Sequence, residues 1–305
     1  MKNEVKGMIY AASTFMIWGF LTLYWRSLQT IGAYEILVNR MFWGFLTLFV
    51  VVLIGKFGNP LKIAYQVVKD KKKFACLCMA TILLSTNWFL YIYSMTSGRI
   101  LEASLGYYIN PILNILLGVY VLKEKLTTSQ VVATAVAAMG VLVLTVYNGV
   151  VPWISLALAF CFGMYGFIKK TMELDSVMSL FFETALMLPI SSFFFIRFAM
   201  SGTSVYAQGN WHYTLFIVLA GFVTVFPLFL FNKAASLLEL KTLGFMQYIQ
   251  PTIQFFIAVF ITGEDFSLTR FGAFVLIWIA CLLFSTSHLF TRKKEIVEEN
   301  ALLSS

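Results

Sequence analysis

The sequence predicts an all-α membrane protein of ten transmembrane helices, built as two inverted five-helix repeats with both termini in the cytoplasm. Three observations carry this expectation: an apolar composition, ten apolar runs of spanning length, and a self-similarity between the halves at an offset of 140 residues. Of the 305 residues, 60% are hydrophobic and 12% charged, and mean hydropathy is +0.85. Soluble domains are about 45–50% apolar and about 25% charged, so lipid must be the solvent for most of this surface. The 31 phenylalanines suit lipid-facing and packing positions.

A spanning helix needs roughly 20 mostly apolar residues. Runs of that kind lie at 8–25, 36–55, 74–95, 101–122, 127–147, 152–168, 177–199, 213–232, 243–262 and 271–290. Barrel strands would be shorter and alternating. The first run has no small-residue cleavage site and is read as a retained helix. Ten spans return the chain to its starting side. With the N-terminus inside, only Arg26, Arg40, Arg99, Arg197 and Arg270 of the 22 Lys and Arg fall in the outer half. That asymmetry follows the positive-inside rule. It also explains the +8 net charge without any nucleic-acid partner. The longest loop, Lys56 to Lys73, has room for a short surface helix.

The repeat is direct. Residues 87–126 align without a gap on 227–266: Phe89 meets Phe229, Tyr108 meets Tyr248, Pro111 meets Pro251 and Glu124 meets Glu264. A weaker echo links Trp18-Gly19 with Tyr165-Gly166. The expected divisions are a first repeat at 1–148, a second at 149–290 and a flexible cytoplasmic tail at 291–305. Five is odd, so the second half enters the membrane upside down. Inverted repeats recur in secondary transporters, with the site near the midplane at the repeat interface.

Polar groups within spans are costly and face cavities or partners. Tyr107, Asn110 and Asn114 are spaced i, i+3, i+7 on one face of the fourth span, and Gln247, Gln250 and Gln254 repeat that stripe in the ninth. Each stripe carries a proline (Pro111, Pro251), which frees a carbonyl a turn earlier and kinks the helix. The stripes are the candidate lining of a substrate cavity. The bland alternative is interhelical hydrogen bonding. Around them the candidate set adds Arg40, Asn87, Trp88, Tyr91, Trp18, Tyr165 and Tyr248. Arg40 is read either as a snorkelling side chain or as an anion contact that could instead pair with Glu102 or Glu35. Glu183 is either a proton carrier or a partner for a lysine. Glu124 and Glu264 are read as structural acids that cap or pair at the turn into the next helix.

No hydrolase, metalloprotease, P-loop or prenyl-diphosphate motif occurs. No cofactor or metal site is expected, because Cys76, Cys78, Cys161 and Cys281 sit inside apolar runs. Without a nucleotide site, active transport would be coupled to a proton or to an exchanged substrate. Gly118 and Gly140 permit close helix contacts in a monomer or a weak homodimer.

The segments NWFLYIYSMTSGRILEASLGYYINPILNILLG from Asn87, PWISLALAFCFGMYGFIKK from Pro152 and LGFMQYIQPT from Leu243 resemble the EamA-type drug/metabolite transporter superfamily, and most closely its chloramphenicol-sensitive, RarD-type branch. The resemblance runs from residue 6 to about residue 290. It implies a plasma-membrane permease with ten spans and a central cavity. The branch often shows Trp where this chain has Asn39, beside the retained Arg40. The function expected is secondary transport of small metabolites or amphipathic drugs, as an exporter working by alternating access. The competing expectation is a non-transporting receptor or assembly factor that uses the same bundle.

Overall fold

The computed structural model describes residues 2–28, 30–96, 100–148, 153–202, 204–261 and 268–303. Every regular element among them is helical. In chain order they are α1 (Lys2–Ser27), α2 (Ala33–Ile54), α3 (Pro60–Lys69), α4 (Lys71–Thr96), α5 (Ile100–Tyr120), α6 (Thr128–Asn148), α7 (Trp153–Thr171), α8 (Ser176–Met200), α9 (Trp211–Leu237), α10 (Leu240–Gln247), α11 (Ile249–Phe260) and α12 (Leu268–Leu303). Eight stretches are long and apolar enough to cross a membrane, with α10 and α11 together forming one of them. Leu105–Tyr120 and Phe271–Thr286 are shorter apolar helices.

Local chemistry sets the boundaries. Asn59 starts α3 by accepting from the Leu61 and Lys62 amides at 3.0 and 3.3 Å, with Pro60 in the first turn, where its missing N–H costs nothing. Leu61, Tyr65 and Val68 are exposed on this short helix, which fits a surface helix lying against lipid. Pro251 has no N–H to offer the Gln247 carbonyl, and the ninth run breaks there into α10 and α11, hinged at Tyr248. The equivalent Pro111 sits inside a continuous α5. The last helix, α12, runs through Leu303.

Contacts distinguish the two ends of the bundle. At the α1–α2 end, the amide of Val205, in the α8–α9 connection, donates to Glu35 Oε1 at 2.7 Å. There Leu28, Ile31, Val205 and Ile217 pack together. At the α7–α8 end, Lys233 pairs with Asp175 at 3.0 Å and Lys73 with Glu173 at 3.8 Å. Lys170 Nζ donates to the Leu238 carbonyl at the same end. Between the ends, helix neighbours follow a rule. Where α1 packs on α9 and α11, its counterpart α7 packs on α4 and α5; α2 meets α8, α5 meets α10, and α6 meets α12. Gly140 is engaged in the last contact, where a Cβ would approach the Ala273 carbonyl to 3.0 Å.

Candidate functional site

The two polar stripes meet at the α5–α10 contact. Asn114 Nδ2 donates to Gln247 Oε1 at 2.8 Å, buried between the halves. One turn away, Tyr248 OH reaches the carbonyl of Tyr108, its own counterpart in the repeat, at 3.5 Å. The backbones come close because residue 244 is glycine: a Cβ there would lie 2.6 Å from the Pro111 carbonyl oxygen. Asn110 and Asn114 are 2% and 0% exposed, and the Oδ1 atom of each has no hydrogen-bond partner among the described residues. An unpaired buried amide oxygen costs about 1–3 kcal/mol. Both oxygens face α7 where its glycines thin the helix, near Gly163 and Gly166. Gln250 is buried on α11. Gln254 turns towards α1 and donates to Thr22 Oγ1 at 3.2 Å.

A second cluster surrounds Arg40. Its guanidinium lies 4.6 Å from the centre of the Trp25 ring and 5.0 Å from that of Trp88. Its Nε donates to Thr224 Oγ1 at 3.0 Å. The phenols of Tyr24, Tyr91 and Tyr107 lie within its electrostatic reach, and the Tyr91 and Tyr107 rings meet edge to face at 6.1 Å. Arg40 therefore points into the bundle between α1, α4 and α9. Glu35, a partner considered from sequence, is instead held by the Val205 amide. The side chain of Glu102 lies outside the described residues. Asn39 receives the Tyr206 hydroxyl, which in turn accepts from Trp43 Nε1 at 2.8 Å. Burial pushes the Tyr206 hydroxyl up from its ordinary pKa, and the Trp43 N–H opposes this.

The third cluster is an ion pair. Lys169 on α7 contacts Glu183 on α8, with the two side chains only 2% and 1% exposed. Lys169 also donates to Ser179, and Ser179 Oγ donates to Glu183 at 2.9 Å. Tyr165 OH lies 3.3 Å from Glu183 Oε2 and 3.2 Å from Asn232 Oδ1. Glu183 is thus paired with a lysine, one of the two roles read for it from sequence. Lys169, read from sequence as a cytoplasmic loop charge, is in fact inside the helix.

The remaining candidates divide between these clusters and the packing. Trp18 joins an aromatic layer with Phe162 at 5.6 Å, Phe231 at 5.7 Å and Phe15 at 5.8 Å. Tyr165 stacks on Phe231 at 6.2 Å, linking that layer to the ion pair. Asn87 ties α4 to α7 by donating to the Leu158 carbonyl at 3.0 Å. Tyr248 is core, packed on Phe245. Glu124 caps a helix, but not the next one. Its carboxylate accepts from the Leu240 and Lys241 amides at 2.7 and 3.0 Å, at the start of α10. Lys123, with φ 60°, turns the chain back and aims Glu124 across the bundle. Glu264 lies outside the described residues. Sequence reading missed Lys169, Ser179, Thr224 and Asn232. One signal for Lys169 was present: Tyr165 stands one turn before it on the same face.

Comparison with known proteins places this geometry. The model of the EamA-like transporter family matches residues 5–146 and again 151–286. A Vibrio cholerae protein named as an uncharacterized transporter is 40% identical over 94% of this chain and 94% of its own. YojE of Bacillus subtilis, also an uncharacterized transporter, is 40% identical over 92% of this chain and 94% of its own. Protein RarD of Escherichia coli is 34% identical over 96% of this chain and 98% of its own. A solved crystal structure at 15% identity superposes with a TM-score of 0.69 over 93% of this chain and 98% of its own, a likeness of fold alone. With its spanning helices, the chain is a multi-pass membrane transporter of the plasma membrane, and it belongs to the EamA-like transporter family, in its RarD-type branch.

Proposed function

We propose that this transporter is a ten-span secondary permease whose two five-helix halves are inverted, with both termini cytoplasmic. It exports small metabolites or amphipathic drugs by alternating access, with the coupling proton or exchange substrate still to be named. The observation that carries the reading is the α5–α10 seam: two amide oxygens, on Asn110 and Asn114, are buried there without partners among the described residues, beside the Asn114–Gln247 bridge. Unsatisfied polar groups in a low-dielectric interior are expensive unless a ligand or water completes them. Helix contacts that map onto one another when the halves are exchanged also support two similar bundles rocking about one site. In such a cycle the Glu124 cap on α10 and the Lys169–Glu183 pair hold the α7–α8 end shut, and opening that end requires the cap to release.

Asn110→Ala and Gln250→Ala are expected to abolish transport at unchanged protein levels. Single cysteines at 110 and 250 should react with membrane-impermeant thiol reagents from one side or the other, in proportions that substrate shifts. Wild-type transport in both alanine variants, with both cysteines silent from either side, would remove the site from this seam.

A further inference from the structure

We infer that Arg40 is the anchor for an anionic group on the substrate, so that the transported compounds are organic anions, carboxylates in the first instance, attached to a flat apolar body. The inference rests on the transport reading above and names the substrate class of the same bundle.

Lys169 is buried against Glu183, and Lys241, also buried, has Glu239 at 2.9 Å. Arg40 lies about 10 Å along α2 from its first residue, at 1.5 Å per residue, and among the described residues no carboxylate lies within 4.0 Å of it. Its helix neighbour Glu35, five residues earlier, falls on a different face and is occupied by the Val205 amide. A cation inside a membrane bundle without a counter-ion is costly even when part of it stays accessible. Two indole faces recover part of that cost, up to about 2 kcal/mol each where water is excluded. They do nothing for the N–H groups.

Donor bookkeeping points the same way. A guanidinium carries five N–H donors in a planar fork. Among the described residues one of these, on Nε, is spent on Thr224. The terminal amino groups have no partner there, and the side chain keeps part of its surface accessible. The hydroxyls of Tyr91 and Tyr107 are likewise uncommitted among the described residues and lie within reach of the guanidinium charge, whereas Tyr24 OH is taken by the Phe216 carbonyl. A planar guanidinium fork with unspent donors matches the two oxygens of a carboxylate, and the two phenols, uncommitted among the described residues, are close enough to interact with its charge. Trp25, Trp88 and Tyr91 supply the faces on which a flat ring would rest.

The test uses the full chain purified into phosphatidylcholine nanodiscs, read by tryptophan fluorescence and thermal shift. The probes are indole-3-acetate, its alcohol analogue indole-3-ethanol and its amine analogue tryptamine. The acid is expected to bind about tenfold or more tightly than the alcohol, and the amine more weakly still. Arg40→Gln should erase the preference for the acid, and Arg40→Lys should retain part of it, because an ammonium keeps the charge and loses the fork. Tyr91→Phe with Tyr107→Phe should weaken the acid alone, a readout that stands even if the arginine variants fold poorly. Equal affinities for acid and alcohol in the wild type, or a preference untouched by both the Arg40→Lys and the paired tyrosine variants, overturns the proposal. Loss of acid binding as phosphatidylglycerol is added, with no acid-over-alcohol preference, assigns the fork to a lipid headgroup and overturns it too. Asn110→Ala separates the two readings. Abolished transport with intact acid binding upholds both. Intact transport with intact acid preference rejects the seam and keeps the anion anchor.

Discussion

The bundle contains two polar centres built on equivalent helices and finished differently. One is Lys169 with Glu183, on α7 and α8, closed by Ser179, Tyr165 and Asn232. The other is Arg40 on α2, set between Trp25 and Trp88 with a single protein hydrogen bond among the described residues. The first centre holds its own counter-ion and keeps about 2% of the lysine side chain exposed. The second holds a cation with none among the described residues and keeps accessible surface. A charge that a protein has already neutralised acts mainly as a fastener. A charge left open, with donors unspent, is free to recognise something else. The contrast is therefore one between fixing the helices and selecting the cargo.

The sharpest way to break this comparison is to delete single charges. Lys169→Met or Glu183→Gln leaves its partner charged and buried, which costs about 3–5 kcal/mol. Unfolding in mild detergent should show that loss for either single change. The double change should recover most of it, because neither charge then remains. Arg40→Met should behave in the opposite way, with stability within about 1 kcal/mol of wild type or higher and transport lost. If Lys169→Met proves benign while Arg40→Met unfolds the protein, the roles of the two centres are reversed.

A smaller effect concerns Glu124. Its two bonds to the α10 amides are charge-assisted, and such bonds contribute about 1.5–3 kcal/mol. Glu124→Ala should lower stability by about 2 kcal/mol on that basis. It should also raise the reactivity of a cysteine at 110 towards reagents applied from the α7–α8 end. A stability loss without a change in accessibility would make Glu124 a helix cap with no part in gating.

Smaller again is the seam. Amide bonds between membrane helices contribute about 0.6–2 kcal/mol, so a double-mutant cycle on Asn114→Leu and Gln247→Leu should return a coupling in that range. Transport should fall far more than stability does. A coupling near zero would mean that the bridge forms only in part of the cycle.

Much of this arrangement was legible in the chain. Among the described residues the apolar runs coincide with helices, the ninth broken into two, and the surface helix predicted between the second and third runs is α3. The break at Tyr248 follows from Pro251 removing a donor. Asn114 and Gln247, one member of each stripe, also meet where α5 packs on α10. What stayed hidden involves helix crossings. Periodicity states which residues share a face of one helix, not which faces of different helices oppose. Arg40 and Thr224 are 184 residues apart, and nothing local joins them. Lys169 and Lys170 stand side by side near a helix end, where the charge rule assigns both to the cytoplasm. Only packing decides that one turns inward to Glu183 while the other reaches the Leu238 carbonyl. Glu124 misled for a related reason: a capping acid is normally local, and here a left-handed Lys123 carries it across to the other half.

The smallest predicted effect tests whether counter-ion closure matters at the surface as it does inside. Asp175, at the α7–α8 end, pairs with Lys233 at 3.0 Å and caps α8 by accepting from Val177 and Met178 at 2.9 and 3.4 Å. Its partial burial alone would raise the carboxyl pKa. The Lys233 ammonium and the two amides outweigh that and hold it below the ordinary carboxylate value. A depressed folded value means that ionised Asp175 stabilises the folded state above the unfolded pKa, and that this contribution is lost as the pH falls through the folded one. The side chain is 40% exposed, so water and salt screen most of the pair, leaving about 0–1 kcal/mol. Asp175→Asn keeps a good cap and removes the charge. Its stability at neutral pH should therefore sit slightly below wild type, and the two curves should converge in acid. Salt should shrink the gap as well. The Lys169–Glu183 pair, sealed from solvent, should show no such salt dependence. Equal salt sensitivity in the variants of both pairs would mean that water reaches Glu183, and the fastener would then have to be reconsidered as a gate.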